Sequence, residues 1–154
     1  MNNMINDTTQ ILNFSKYVKH EHYLKLTESI TNISQSLDDA SLKVLAGSII
    51  LLLGSDYVKP IHSRAKLIYL LFIPAWVSLG MEFFYCNAVC RISASLIQFN
   101  NLDIIKSLIY DKDGVSDMYQ KQSMSFSFGI LFLSIWLTSF LIWWIFFDKQ
   151  TKHK

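Results

Sequence analysis

The residues that interrupt helices are scarce in this sequence. It contains 2 prolines and 5 glycines in 154 residues, and neither residue type occurs before Gly47. Such a stretch favours one long helix over a series of strands and turns. We therefore predict an amphipathic helix from about His22 that continues without a break into the first apolar segment.

Cysteine is equally rare, and its placement excludes a disulfide framework. The 2 cysteines, Cys86 and Cys90, lie one helical turn apart. A helix that contains both keeps them from joining distant parts of the chain. We interpret them as reduced side chains that behave as small, buried hydrophobic groups.

The sequence also lacks any concentration of charge. The formal net charge is +2, the isoelectric point is about 8.5, and no basic patch is interleaved with aromatic residues, so no nucleic-acid partner is expected. It has no nucleophile elbow, P-loop, dinucleotide-binding fingerprint or HExxH motif, and neither catalysis nor a cofactor is expected. The acidic turn at residues 111–114 lacks the further oxygen ligands of a calcium loop, so no metal is expected there.

Apolar residues are what the sequence has in abundance. They make up 51% of the chain, and the mean hydropathy of +0.27 is high for a soluble domain. Three apolar runs occupy residues 44–58, 67–90 and 124–147. We predict an all-α membrane protein with three transmembrane helices, an N-terminal amphipathic helix continuous with the first span, and a cytoplasmic helical stalk. The lipid bilayer is then its first partner.

The first apolar run is short for a membrane span. As a helix it extends about 22 Å, against roughly 30 Å of hydrocarbon core, so a re-entrant or buried helix is the alternative for residues 44–58. Gly47 and Ser48 within it allow another helix to approach closely. A basic turn at residues 59–66 then joins the first two spans into an antiparallel hairpin.

The second apolar run contains Pro74, and a proline inside a span bends the helix and can act as a hinge. The order of the segments predicts four regions. They are an N-terminal amphipathic helical segment (1–41), a membrane hairpin with its stalk (42–98), an amphipathic link (99–123), and a third transmembrane helix with a basic tail (124–154).

An apolar stripe marks one face of the N-terminal helix. Its members recur at three- and four-residue steps: Leu26, Ile30, Ile33 and Leu37. We predict that the stripe packs against the end of the second span to form the stalk, and it is also the candidate surface for a partner protein. A short amphipathic helix at residues 101–110 either covers the stalk or lies at the lipid headgroups.

Glu82 is the foremost candidate for a functional residue, because an ionisable group inside a membrane span is costly. The hairpin register places Glu82 near the membrane surface, level with about Asp39 and within reach of Lys43. An interhelical ion pair with Lys43, or a hydrogen-bonded acid near the interface, is the first interpretation, and a pore-lining or gating role is the second. Asn87, farther along the same span, offers a hydrogen bond to a neighbouring helix.

The third span carries one narrow polar face. Ser127, Ser134 and Thr138 follow one another at seven- and four-residue steps. Small hydroxyl side chains commonly lie at contacts between membrane helices, where they also bond to the preceding carbonyl. Helix packing is therefore preferred over pore lining for these three residues.

The segment ISQSLDDASLKVLAGSIILLLGS, followed by a short turn and LLFIPAWVSLGMEFF, resembles the SLATT-like small membrane proteins of bacteria over residues 30–98. In that family an N-terminal helix runs into a membrane hairpin whose second span continues as a cytoplasmic helix. The resemblance implies an effector of bacterial antiviral and nucleotide-signal systems that assembles into pores. The third span departs from the family pattern, and no domain that binds a nucleotide signal is visible.

Two functions follow as hypotheses. The first is an oligomeric inner-membrane effector or channel-like protein, which is a homo-oligomer under the control of a separate sensor or partner protein. The second is a non-catalytic membrane adaptor, anchor or immunity-type partner, and a holin-like protein is the third possibility. A polar N-terminal segment without a signal sequence favours a cytoplasmic N-terminus, and three crossings would then place the C-terminus outside.

Overall fold

The computed structural model describes residues 2–54, 69–99 and 101–147, and this described part is helical and contains no strand. Its four helices are α1 (Asn2–Gly54), α2 (Phe72–Leu96), α3 (Leu102–Tyr110) and α4 (Val115–Phe147). At 53 residues, α1 joins the N-terminal helix to the first apolar run without a break, as the sequence predicted. The predicted turn at residues 59–66 and the basic tail lie outside the described residues.

Each long helix has a line of buried residues at seven-residue steps, which we call its seam, and α2 has a second such line at Phe72, Leu79 and Cys86. On α1 the seam is made of small hydroxyl-bearing residues: Thr27, Ser34, Ser41 and Ser48. On α2 it is Ala75, Glu82, Val89 and Leu96. On α4 it is Val115, Gln122, Gly129 and Trp136. A seven-residue repeat keeps the buried positions of a helix on one narrow line, which is the pattern of helices that pack knobs into holes.

The chain divides into two compact units. Unit 1 comprises Met1–Ser36 and Tyr85–Lys121, and unit 2 comprises Leu37–Phe84 and Gln122–Lys154. Three helices, α1, α2 and α4, contribute residues to both units, whereas α3 belongs to unit 1 alone.

The core of unit 1 is a cluster of five fully buried side chains from α2, α3 and the start of α4: Val89, Leu96, Ile105, Ile109 and Val115. Leu26 and Ile30 of α1 pack against this cluster. Because α3 supplies two of the five buried side chains, it packs against the other helices of unit 1.

Polar contacts join α1 and α2 on another face of unit 1. Thr31 Oγ1 donates to Ser93 Oγ at 2.9 Å, and Ser34 Oγ donates to Cys86 Sγ at 3.5 Å. Both cysteines, Cys86 and Cys90, are free thiols. Small side chains at these positions allow the two antiparallel helices to approach closely.

A tight turn sets the start of α4. Asp113 has a positive φ of 66°, and a Cβ at Gly114 would lie 2.7 Å from the backbone oxygen of Leu108, so only glycine fits there. Lys121 Nζ lies 2.9 Å from Asp113 Oδ1 and ties the turn to the helix that follows. The last helix therefore begins at Val115, whereas the apolar run on which the third span was predicted begins at residue 124.

Pro74 lies at the start of a helix. The second helix begins at Phe72, after a 3₁₀ turn at residues 69–71, so Pro74 is in its first turn. The amide hydrogens of a first turn have no partner within the helix, and a proline is tolerated there. This corrects the predicted kink, because a proline at this position does not break a helical hydrogen bond.

Two helical stretches are long and apolar enough to cross a membrane, Tyr69–Leu96 and Leu102–Trp143. The most apolar windows of these stretches are only 28% and 11% buried inside the protein, so much of their apolar surface faces outward. This length and composition give weak support to a membrane location. As far as it is described, α1 does not meet the same criterion.

Gly129 marks a close approach between α2 and α4 in unit 2. A Cβ at Gly129 would lie 2.8 Å from both Cγ and Cδ2 of Leu79, and Leu79 is itself fully buried. A Cβ at Gly47 would meet nothing within 4 Å. Of the two residues at which the sequence suggested a close helix contact, Ser48 is buried and accepts a hydrogen bond from Trp76 of α2, whereas Gly47 has no such neighbour; Gly129 makes a further close contact.

We predict that Gly129→Ala lowers the free energy of unfolding by about 1–3 kcal/mol, because the added methyl group overpacks a filled site. The matched control is Gly80→Ala, where the new methyl group meets nothing within 4 Å. Higher helix propensity should make the control neutral or stabilising by up to about 1 kcal/mol. Thermal unfolding in detergent, followed by circular dichroism, measures both. Equal midpoints for the two variants would contradict the prediction.

Candidate functional site

Glu82 of α2 is fully buried in unit 2. Its Oε1 accepts a hydrogen bond from Nε2 of Gln122 on α4 at 2.5 Å. The hydroxyl of Ser41 on α1, also fully buried, lies beside the same carboxyl group. Three helices thus meet at one set of side chains, Glu82, Gln122 and Ser41, which we call the polar cluster.

Hydrogen bonding within the polar cluster is incomplete. Neither Glu82 Oε2 nor Ser41 Oγ makes a well-aligned hydrogen bond among the described residues, although the Ser41 hydroxyl lies within reach of the Glu82 carboxyl group. A buried polar atom without a partner costs about 1–3 kcal/mol. The polar cluster is therefore a weak point in the otherwise largely apolar core of unit 2.

The charge next to the polar cluster is negative. Asp38, one helical turn before Ser41 on α1, interacts electrostatically with the Glu82 carboxyl group. Partial burial raises the pKa of the Asp38 carboxyl group, and the like charge of Asp39 raises it further. Within the described residues, no ion pair neutralises Glu82.

Lys43 does not supply the predicted partner of Glu82. Its side chain is exposed, and the carboxyl group of Glu82 is bonded to an amide instead. Lys43 lies two positions after the buried Ser41, and residues two apart on a helix point to different sides. The predicted hairpin register set no direction for the Lys43 side chain, and the exposed position of that side chain corrects the predicted ion pair.

A second polar contact joins α1 and α2 within unit 2. Trp76 Nε1 donates to Ser48 Oγ at 2.9 Å. Beside it, a mostly apolar cavity of about 240 Å³ is lined by Gly47 and Ser48 and, on α4, by Ser134 and Trp136. The α1 seam thus contributes a hydroxyl both to this contact and to the polar cluster.

The three hydroxyl residues predicted to form a polar face on α4 lie outside the core. Ser127, Ser134 and Thr138 are all exposed in the single chain, and Ser127 Oγ donates to the backbone oxygen of Ser123 at 2.8 Å. Only Ser134 also borders the apolar cavity. The hydroxyl face is therefore available to a neighbouring molecule.

The residues predicted to hold a partner have different surroundings. Leu26 and Ile30 pack against the core of unit 1 and are not free to hold another protein, which corrects that expectation for these two residues. Leu37 is half-buried. Ile33, at 47% exposure, and Asn87 face outward.

Sequence reasoning missed Gln122 and Ser41. Gln122 lies just before the apolar run that was taken as the third span, and Ser41 lies just before the first run. Both belong to seven-residue repeats, Ser41 with Ser34 and Ser48 and Gln122 with Gly129. That repeat was the available signal, and it was hidden because serine and glutamine are residue types that mostly lie at the surface.

Comparison with known proteins returns no family. No family model, no curated protein and no solved structure matches this chain.

We predict that Gln122→Leu lowers the free energy of unfolding by about 2–4 kcal/mol, because it leaves the buried Glu82 carboxyl group without its donor. Replacing both partners, in Glu82→Leu with Gln122→Leu, should recover more than half of that loss, since neither replacement then leaves the other residue's polar group without its partner. The control is Gln120→Leu, at an exposed position of the same helix. Denaturant unfolding in detergent measures the double-mutant cycle. A Gln122→Leu loss no larger than that of Gln120→Leu would disprove the role of the amide.

Proposed function

We propose that this protein is a small membrane effector of the channel-like class, which acts as a homo-oligomer and disturbs the permeability barrier of a bacterial inner membrane. The observation that carries the proposal is the distribution of side chains in unit 2. Its polar cluster is internal, whereas large apolar side chains point outward. Such an arrangement suits lipid better than water.

The outward-facing apolar residues occur on all three helices of unit 2. Representative exposed fractions are 69% for Ile50, 59% for Ile73, 61% for Val77 and 51% for Leu131. Because these side chains are spread over α1, α2 and α4, we propose that all three helices cross the bilayer. The first crossing is then the apolar end of α1.

Glu82 does not line a water-filled path in this form of the protein, because it is fully buried. We therefore assign the structure to a closed state that the polar cluster holds together. The exposed hydroxyl face of α4 is the surface that supports a path between copies, since Ser134 and Thr138 would otherwise face lipid. A sensor that loosens the polar cluster would act as the trigger.

The resemblance to SLATT-like proteins supports a setting in bacterial antiviral defence. The alternative is a non-conducting adaptor, anchor or immunity-type partner. It depended on a free surface of Leu26, Ile30, Ile33 and Leu37, and the first two of these side chains are used within unit 1. The effector is therefore the preferred hypothesis.

The topology is tested with reporter fusions after Lys154. With a cytoplasmic N-terminus and three crossings, alkaline phosphatase fused there should be active and a fluorescent protein should stay dark. The matched control carries the same reporters on a chain cut after residue 99, which should give the opposite result because two crossings return the chain to the cytoplasm. Bright fluorescence after Lys154 would disprove three crossings.

The activity is tested by ion flux into liposomes that contain the purified protein. Gln122→Ala removes the donor to Glu82, so flux should exceed that of the unaltered protein. Adding Ser134→Leu and Thr138→Leu should lower it again by blocking the hydroxyl face. The matched control in the Gln122→Ala background is Ile135→Leu with Ile142→Leu, at exposed apolar positions of the same helix. Flux no greater than that of protein-free liposomes for every variant would contradict a channel-like function.

A further inference from the structure

The polar cluster holds an acid without a nearby cation. Glu82 has no exposed surface, and the other charged side chains in the described part of unit 2 are Asp38, Asp39 and Lys43, all on α1. Asp39 and Lys43 are exposed. Asp38 is itself an acid, and it interacts electrostatically with the Glu82 carboxyl group. The first helix therefore adds negative charge beside Glu82 and no positive charge.

The last helix supplies no cation either. Residues 122–147 of α4 contain no charged residue and no histidine. Lys121, which precedes them, is already paired with Asp117 at 2.8 Å and with Asp113 at 2.9 Å. The side chain that α4 presents to Glu82 is instead the neutral amide of Gln122.

On α2, Glu82 is the only charged residue in the part of the helix that belongs to unit 2. Farther along the helix, Tyr85 and Cys86 are titratable, but neither carries a positive charge in any form. An ionised Glu82 would thus be a buried charge without a counter-ion among the described residues. Proteins avoid that cost by keeping such a group neutral.

A proton fits this position, whereas a metal ion does not. Glu82 Oε2 and Ser41 Oγ are both inaccessible, so no space the size of a water molecule adjoins either atom. A cation such as Ca²⁺ or Mg²⁺ needs a space bordered by about six oxygen atoms. A proton needs no such space, and it makes the carboxyl group a donor to the Ser41 hydroxyl within its reach. The other carboxyl oxygen still accepts from Gln122.

We infer that Glu82 is a proton-binding site, which holds unit 2 closed while it is neutral and opens it when its proton passes to water. The inference rests on the proposed function, since it names a chemical signal to which the channel-like protein responds. Loss of the proton breaks the O–H bond of the acid and leaves a carboxylate beside Asp38. Repulsion between these like charges, and the cost of burying them, favour separation of the helices that enclose them.

The direction of the pH dependence follows from this assignment. The closed form holds one more proton than the open form, so the ratio of closed to open protein falls as the pH rises. One proton changes that ratio by at most about tenfold per pH unit. Closed protein should therefore dominate in acid, and open protein should dominate in alkali.

The first test is ion flux into liposomes that contain the purified protein, with both sides at about pH 5 or at about pH 9. Flux through the unaltered protein should rise with pH by up to about tenfold per unit. Glu82→Gln imitates the neutral acid, so its flux should stay low at both values. The matched control is Asp103→Asn, an exposed acid on α3, which should behave like the unaltered protein. An unchanged pH response in Glu82→Gln would overturn the inference.

Two further variants identify the titrating group. Asp38→Asn removes the like charge beside Glu82, so the response should remain and its midpoint should move to lower pH. Cys86→Ala removes the thiol one turn farther along α2, and the response should also remain. Loss of the response in either variant, with its retention in Glu82→Gln, would assign it to another group and overturn the inference.

The second test does not depend on conduction. The folded protein holds a proton at Glu82 that the unfolded chain releases, so its thermal unfolding midpoint in detergent should fall between about pH 5 and about pH 9. The fall should exceed that of Glu82→Gln by about 3 °C or more. Glu82→Gln keeps an oxygen that accepts from Gln122, so this variant should fold. Equal falls in the two proteins would contradict the proton-binding site.

These outcomes separate the inference from the proposed function. Protein that conducts ions equally at both pH values disproves the proton switch and leaves the proposed function in place. Protein that gives no ion flux at either pH, but whose unfolding midpoint still depends on pH through Glu82, removes the proposed function and supports the proton-binding site.

Discussion

The structure depends on a buried position at every seventh residue of its three long helices. On α1 those positions hold only Thr27, Ser34, Ser41 and Ser48. Small side chains bring the helix axes together, but each brings a hydroxyl group that must find a partner away from water. Residues of α2 that face the α1 seam can satisfy this requirement. The Ser34 hydroxyl donates to Cys86, the Ser48 hydroxyl accepts from Trp76, and the Ser41 hydroxyl lies beside Glu82. The polar residues of the core are thus consequences of a close-packed seam.

In the polar cluster, the buried hydroxyl of the α1 seam is less well paired than elsewhere along the seam. Glu82 receives one hydrogen bond from Gln122, and its second oxygen has no partner among the described residues. A buried acid paired with an amide adds little net stability compared with two apolar side chains, but it penalises any other register of the helices. The cluster is therefore better explained by specificity or switching than by stability. This is why the proposed function treats it as the contact that a trigger releases.

Much of the fold could be predicted from the sequence, because apolar periodicity and missing helix breakers are local signals. They indicated the unbroken N-terminal helix, the short helix at residues 101–110 and the packing face of Leu26 and Ile30. The candidate site was harder, because it depends on how each helix is rotated about its axis. The hairpin register predicted a depth for Lys43 but no direction for its side chain. Gln122 was missed because it precedes the apolar run. Gly129 was missed because a close approach of two helices depends on which side chain of the other helix lies opposite the glycine, here Leu79.

The burial of Glu82 constrains any conduction mechanism for this chain. A carboxyl group with no exposed surface cannot attract ions to a pore until the helices around it separate. Two mechanisms are consistent with this: conduction along the exposed hydroxyl face of α4 between copies, or rearrangement of unit 2 that uncovers Glu82. The first would require neighbouring copies, whereas the second would require α1, α2 and α4 to move within unit 2.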